Sequence, residues 1–254
     1  MMLVAQISDT HIMAPKEPNK RSLERINFFQ RCVEDINSLR TTPDVVIHTG
    51  DLTDNGLPEE YTVAKEILEH LNIPFFPTPG NRDGSMSMIN SYAEDLNIPK
   101  DQDSMIYAIN EFSIKLISVD TSSERGPKGD LSKKKLQKLQ SFLNDSRDQP
   151  TVLFMHHPPF SISLGERSYF EYDRPESIKE FYDLIQNYNH VIGLFCGHIH
   201  RTYNAMLGNI SASIMPSIAL DLSQEKAPNK LDTPVYHLHK FHDGLGYETE
   251  IRHI

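Results

Sequence analysis

Only two cysteines, Cys32 and Cys196, occur among the 254 residues, too few for the disulfide framework of a small secreted scaffold. Cys32 falls on a predicted helix beside its core stripe and Cys196 at the end of an apolar strand, so both read as reduced, packed thiols. No apolar run approaches the ~18 residues that a membrane-crossing helix needs. The chain runs from Met1-Met2 directly into Leu3-Val4-Ala5-Gln6-Ile7, without the basic and apolar segments of a secretory leader. Basic charge is also scarce: 25 Lys and Arg stand against 35 Asp and Glu, a formal net charge of −10. Broad nucleic-acid binding requires Lys and Arg to neutralise phosphates. The one basic cluster, Lys133-Lys134-Lys135, reads as the solvated face of an amphipathic helix. Internal repeats, low-complexity tracts and linkers are absent as well. Together these absences predict a cytoplasmic protein that binds neither nucleic acid nor membrane and forms one domain over residues 1–254. Homo-oligomerisation is neither required nor excluded.

What is present is a rhythm of apolar strands and amphipathic helices. Strands are predicted at 3–8, 44–49, 73–76, 151–155 and 191–196, with a hairpin over 105–109 and 112–119 turning at Asn110-Glu111. Helices are predicted at 22–39, from the spacing of Ile26, Phe29, Val33 and Ile36, and from Pro58, with the stripe Tyr61, Ala64, Leu68, Leu71. Two more are predicted from Ser132, with Leu136, Leu139 and Leu143, and over 175–188. Beyond Arg201 short strands and turns follow. Strands that are apolar throughout, alternating with helices, imply a sheet covered on both faces. In such sheets ligands bind beyond the carboxyl ends of the strands.

Five of these strands end in metal-ligand residue types: Asp9/His11, Asp51, Asn81, His156/His157 and His198/His200. One such cluster alone would be a turn. Five at one sheet edge form a set. Outside it, His48 is predicted to be a hydrogen-bonded core residue, Asp54 to shape a turn, and Asp120 and Asp130 to serve turns. His237 and His239 alternate along a C-terminal strand and are predicted to lie on its exposed face.

The order Asp-x-His, Gly-Asp, Gly-Asn, His-His-Pro-Pro and Gly-His-x-His resembles the calcineurin-like metallophosphoesterases, over roughly residues 3–200. It is most similar to the bacterial cyclic-nucleotide and glycerophosphodiester phosphodiesterases, which Gly50-Asp51-Leu52-Thr53-Asp54-Asn55-Gly56 and His156-His157-Pro158-Pro159 strengthen. The resemblance implies a four-layer α/β/β/α sandwich of two mixed sheets flanked by helices. It implies two divalent metal ions bridged by Asp51, with Asp9, His11 and His200 completing one site and Asn81, His156 and His198 the other. Imidazole and oxygen donors without thiolate suit Mn, Fe, Co or Zn. The implied reaction is hydrolysis of a small phosphodiester, such as 3',5'-cyclic AMP or a glycerophosphodiester, by in-line attack of a hydroxide bridging the two ions.

Two residues qualify the pattern. Arg82 stands where these phosphodiesterases usually carry His after the Asn. Arginine gives bidentate contacts to phosphate but no proton at neutral pH, so Arg82 is expected to stabilise the phosphoryl group while water protonates the leaving group. Arg in this motif is also similar to the diacylglucosamine pyrophosphate hydrolases, which lack His-His-Pro-Pro. His157 is expected either to orient its loop or to touch substrate. The competing activities are a phosphomonoesterase or protein phosphatase, or a nucleotide-sugar pyrophosphate hydrolase, with the same centre. A non-catalytic scaffold would normally have lost ligands. Substrate choice is expected in residues 161–176, with rings Tyr169, Phe170 and Tyr172, and in 204–207 and 220–234.

Overall fold

Each strand–helix pair follows from local signals. The first strand, β1 (Met2–Ile7), leads to α1 (Lys20–Ser38), whose start is fixed by a reciprocal cap between Asn19 and Ser22. Phe29, Val33 and Ile36 on α1 are buried, as their spacing predicts. Then come β2 (Val45–His48), α2 (Pro58–Leu68) and β3 (Phe75–Pro77). The fully buried stripe of α2 is Tyr61, Ala64 and Ile67, with Leu68 and Leu71 packed at its margin.

A helix that the sequence pattern does not announce, α3 (Ser85–Tyr92), follows. The hairpin of β4 (Tyr107–Ile109) and β5 (Lys115–Val119) pairs Ile109 with Leu116, so its connection is longer than the two-residue turn predicted. Next are α4 (Lys133–Asn144), capped by Ser132, and β6 (Thr151–Met155). The short pair β7 (Ile162–Leu164) and β8 (Arg167–Tyr169) precedes α5 (Pro175–Ile185) and β9 (Val191–Cys196). The chain ends with β10 (Tyr203–Leu207), β11 (Ile210–Ile214), β12 (Val235–Phe241) and β13 (Tyr247–His253). This computed structural model describes residues 1–145, 149–164, 167–169, 171–172, 174–219, 234–242 and 246–254, for 164 and 167–169 the backbone alone. Phe170 and residues 220–233 of the expected substrate walls lie outside the described residues.

The strands form two mixed sheets, ordered β13-β12-β1-β2-β3 and β10-β11-β9-β6-β5-β4. Within them β1, β2 and β3 run parallel, as do β5, β6, β9 and β11. The period-2 alternation of the second sheet divides the core. Leu116, Val152, Phe154 and Phe195 pack with the first sheet, α1, α2 and α3. Ile117, Leu153, Met155 and Leu194 pack beneath α4 and α5. Helices, sheet, sheet and helices therefore make four layers, as the resemblance implies.

Two surface expectations are corrected. Lys135 does not join a solvated face: its ammonium turns inward to Ser122 O at 2.7 Å and Asp120 Oδ1 at 3.4 Å. His237 and His239 are buried, because β12 is an inner strand whose histidine face meets the second sheet, with His239 stacked 3.8 Å from Phe195.

Candidate metal centre

All the strands that carry the motif residues are parallel strands, and their carboxyl ends meet. Backbone bonds knit the loops into one floor: Asp9 N–H donates to Gly50 O (2.9 Å), His11 N–H to Asp51 O (3.0 Å) and Gly197 N–H to His156 O (3.1 Å). Close approach explains two of the glycines. A Cβ at Gly80 would fall on Asp51 Oδ1, and one at Gly197 would fall on Ser8 Oγ and within 2.6 Å of Asp9 Oδ2.

The backbone is strained where the chemistry sits. Asp9, His11, Asp51, His198 and His200 all have left-handed φ between 47° and 78°, and Asn97 is the only other described non-glycine residue that does. Each costs on the order of 1 kcal/mol and persists only where the surroundings over-determine it. Here the strain turns side chains sharply off the strand ends and back toward one another.

Seven predicted residues come together in two groups. In the first, His200 Nε2 lies 3.2 Å from both Asp9 Oδ1 and His11 Nε2, and His11 Nε2 lies 3.8 Å from Asp9 Oδ1 and from Asp51 Oδ2. In the second, His156 Nε2 lies 3.1 Å from Asn81 Oδ1, 3.1 Å from His198 Nδ1 and 3.5 Å from Asp51 Oδ2. Asp51 thus faces both. Donors held about 2.1 Å from a shared ion sit roughly 3.0–3.4 Å apart, so the spacings suit a cation in each group. Asp9 Oδ1 is a buried carboxylate oxygen without a hydrogen-bond donor among the described residues, directed at that space.

Electrostatics agree with a cation site. Burial opposes charge on Asp9 and Asp51, yet the neighbouring imidazoles hold both carboxyls below their usual range. Burial also opposes charge on His156, but Asp51 and Asp9 push it up to about 9. His200 is raised in the same way by Asp9. These enclosed carboxylates demand positive charge, which protons on the imidazoles supply when no cation does.

The supporting contacts fix which nitrogen faces inward. His156 Nδ1–H donates to Thr49 O (2.8 Å), and His198 Nε2–H to Glu171 Oε2 (3.2 Å), leaving Nε2 and Nδ1 respectively for the centre. Asp54 lies 3.4 Å from His11 Nδ1 and 2.6 Å from Arg25 Nη1, and Arg25 also donates to His11 O (2.9 Å). Asp83 locks the Gly-Asp and Gly-Asn loops together, accepting from Leu52 N, Thr53 N, Thr53 Oγ1 and Gly80 N. Sequence reasoning missed Glu171, Arg25 and Asp83 as supports. The Asp83 carboxylate two residues after Asn81 was the one local signal.

The two remaining predicted residues differ. Arg82 has an exposed side chain at the lip, while its backbone N–H donates to Asp51 Oδ1 (2.8 Å). His157 is fully buried, with Nδ1 2.8 Å from Thr121 Oγ1 and Nε2–H donated to Pro127 O (2.9 Å). Both nitrogens are engaged by the loop after β5. Tyr172 also packs rather than stacking on a ligand, its hydroxyl donated to His157 O (2.8 Å). His48 is the expected core histidine, taking Gly50 N–H on Nδ1 and facing Thr10 Oγ1 with Nε2.

Known proteins are similar to this chain in sequence or fold. A glycerophosphodiester phosphodiesterase assigned as probable GpdQ from Arcobacter nitrofigilis is 32% identical over 262 residues, spanning 100% of this chain and 93% of that protein. The 3',5'-cyclic adenosine monophosphate phosphodiesterase CpdA of Escherichia coli K12 is 25% identical over 230 residues, 91% of this chain and 81% of that one. A dimetal phosphatase from Danio rerio shares the fold at a TM-score of 0.71, with 11% identity, over 99% of this chain and 95% of that chain. The model of the calcineurin-like phosphoesterase family matches residues 2–202. The chain belongs to the calcineurin-like phosphoesterase family, a family of hydrolases.

Proposed function

We propose that this protein hydrolyses small phosphodiesters at a centre of two divalent cations. Asp9, His11 and His200 hold one cation, Asn81, His156 and His198 the other, and Asp51 faces both. The observation that carries the reading is the single Asp51 carboxylate between two imidazole groups, 3.8 Å from His11 Nε2 and 3.5 Å from His156 Nε2. Bound there, divalent cations would polarise the phosphoryl oxygens and make water acidic enough to attack at neutral pH. Mn, Fe, Co and Zn suit the donors. Their charge outweighs that of Asp9 and Asp51, so the phosphate meets a positive pocket in a protein of net charge −10.

The chain's own residues supply orientation. Asp51 is held by the Arg82 N–H, and the exposed Arg82 side chain can pair with the phosphate oxygens. Arg82 stands in place of the usual His beside Asn81 and gives up no proton at neutral pH, so water protonates the leaving oxygen. The buried free thiols of Cys32 and Cys196 suit a cytoplasmic setting, and no helix among the described residues is long and apolar enough to cross a membrane. The whole chain acts as one domain, whether alone or in a homo-oligomer. The names of the relatives favour a glycerophosphodiester or a cyclic nucleotide as substrate.

Turnover of bis(p-nitrophenyl) phosphate and p-nitrophenyl phosphate, with Mn, Fe, Co and Zn in parallel, tests this. The diester should react at least about tenfold faster, and Arg82→Ala should lower kcat/KM on it by more than about twofold. A faster monoester would favour a phosphomonoesterase. Fewer than about one metal equivalent with no turnover would favour a scaffold.

A further inference from the structure

The four edges of the two large sheets differ in how they are protected. In the first sheet β3 ends one edge with three residues, the last of them Pro77. In the second sheet β4 has three residues and β10 has five. Short strands and proline guard a sheet against edge-to-edge association. The remaining edge is β13, seven residues long and without proline. Among the described residues no strand pairs with its outer side.

The register shows which backbone groups β13 turns outward. Ile254 N–H donates to Pro234 O and His242 N–H to Gly246 O, so the even-numbered residues of β13 carry the bonds to β12. The N–H and C=O groups of Tyr247, Thr249, Ile251 and His253 therefore point away from the sheet. Their side chains lie on the face of His237 and His239. Ile251 among them is 44% exposed, an apolar side chain near the middle of the edge. Glu248, Glu250 and Arg252 lie on the other face. There α1 sets Arg252 in place: Nη2 holds Asp35 at 3.1 and 3.2 Å, while Nη1 reaches Glu250 Oε1 at 3.4 Å.

We propose that β13 is a dimer interface, pairing antiparallel with β13 of a second copy about a two-fold axis at Ile251. In this register the outward backbone groups of Thr249 meet those of the partner's His253, and Ile251 meets the partner's Ile251. Glu250 then stands opposite the partner's Arg252, in a pair without backbone bonds, where facing side chains come closest. The symmetry repeats that ion pair on the other side of the axis. Neighbouring registers fail on charge. An axis at Glu250 sets two Glu250 carboxylates opposite each other, and one at Thr249 sets Glu248 against the partner's Glu250. Charges that keep a foreign strand off the edge thus admit one register of self-pairing. The two-fold uses up both edges, so association stops at the dimer.

Sedimentation velocity of the full chain from about 1 to about 200 µM tests this, and a dissociation constant on the order of 10 µM is expected from a single strand pair. Ile251→Lys and Ile251→Glu, each at an exposed position, set like charges across the axis and should each weaken the dimer at least about tenfold. Mixed in equal amounts, the two variants set opposite charges across it, and dimer should return to within about threefold of wild type. Thermal midpoints within about 2 °C of wild type show that both variants fold. A wild type that stays monomeric at about 200 µM overturns the interface. A dimer that neither substitution weakens, or that the mixture does not restore, overturns self-pairing of β13 about Ile251.

Discussion

His156 and His11 at the strand ends and the histidines inside the strands are hidden from solvent to similar degrees, yet their surroundings differ. His156 is fully buried and His11 nearly so, as are His48, His237 and His239. At the strand ends the rings face carboxylates: Asp51 and Asp9 lift His156 to about 9 against the cost of its burial. Inside the strands burial wins: it lowers His48 to about 3 in spite of the pull of Asp9 and Asp51, which it does not touch, His237 to about 4, and His239 well below the usual value. His239 is satisfied by Gln6 Oε1 and Thr249 Oγ1, each at 2.9 Å. Burial alone therefore makes a histidine neutral. Left-handed strand ends that bring carboxylates into contact make it a metal-ligand candidate.

The strongest way to break that contrast is to remove the shared carboxylate. Asp51→Asn leaves His11 and His156 buried but without the charge that faces both. Metal affinity should fall by at least about 100-fold, with turnover lost in parallel, because the ligand groups lose their common anion. Metal analysis after loading and dialysis, alongside bis(p-nitrophenyl) phosphate assays, reads both. If the variant keeps two metal equivalents and turnover within about tenfold of wild type, Asp51 does not organise the centre.

A smaller effect should follow from Glu171, which touches the strand-end group from outside. Its carboxylate holds His198 Nε2–H at 3.2 Å and so points Nδ1 inward. Glu171→Leu should weaken one of the two metal equivalents about 10- to 100-fold and spare the other, as measured by Mn titration calorimetry. Glu171→Gln keeps an acceptor and should recover part of that loss. Equal weakening of both equivalents, or of neither, would show that Glu171 does not set the His198 ring.

Much of this contrast was legible in the chain. The five strand-end clusters fall on the strands that the apolar runs predict, because parallel strands buried on both faces carry a strong local signal. The supports were not legible. Arg25 lies 29 residues from Asp54, and Glu171 lies 27 from His198, so their pairing depends on topology. The Ser85–Tyr92 helix lacked a wide apolar stripe, burying Met88, Ile89 and Tyr92 in barely two turns. At His237-Leu238-His239, polar–apolar alternation normally turns the polar face outward. Here the fold inverts that rule, since the histidine side of β12 meets Phe195 of the other sheet.

That inversion carries the smallest and most local prediction. His237 is 2% exposed, and neither of its ring nitrogens has a hydrogen-bonding partner among the described residues. A polar group buried without a partner costs stability, so His237→Leu should stabilise the protein by about 1 kcal/mol at pH 8. In a chain of this size that is about 2–4 °C in thermal midpoint. The pH dependence has a definite sign. Burial lowers the folded-state value of His237 from 6.5 to about 4, so the folded protein binds fewer protons than the unfolded chain between those values. Stability is fully present above pH 6.5 and is lost as pH falls toward 4. His237→Leu should lose less stability than wild type across that window, with metal content unchanged. Urea unfolding at pH 8, 6 and 5 measures both effects. A variant that is less stable at pH 8 and keeps the wild-type acid slope would show that His237, like His239, has a partner in the core.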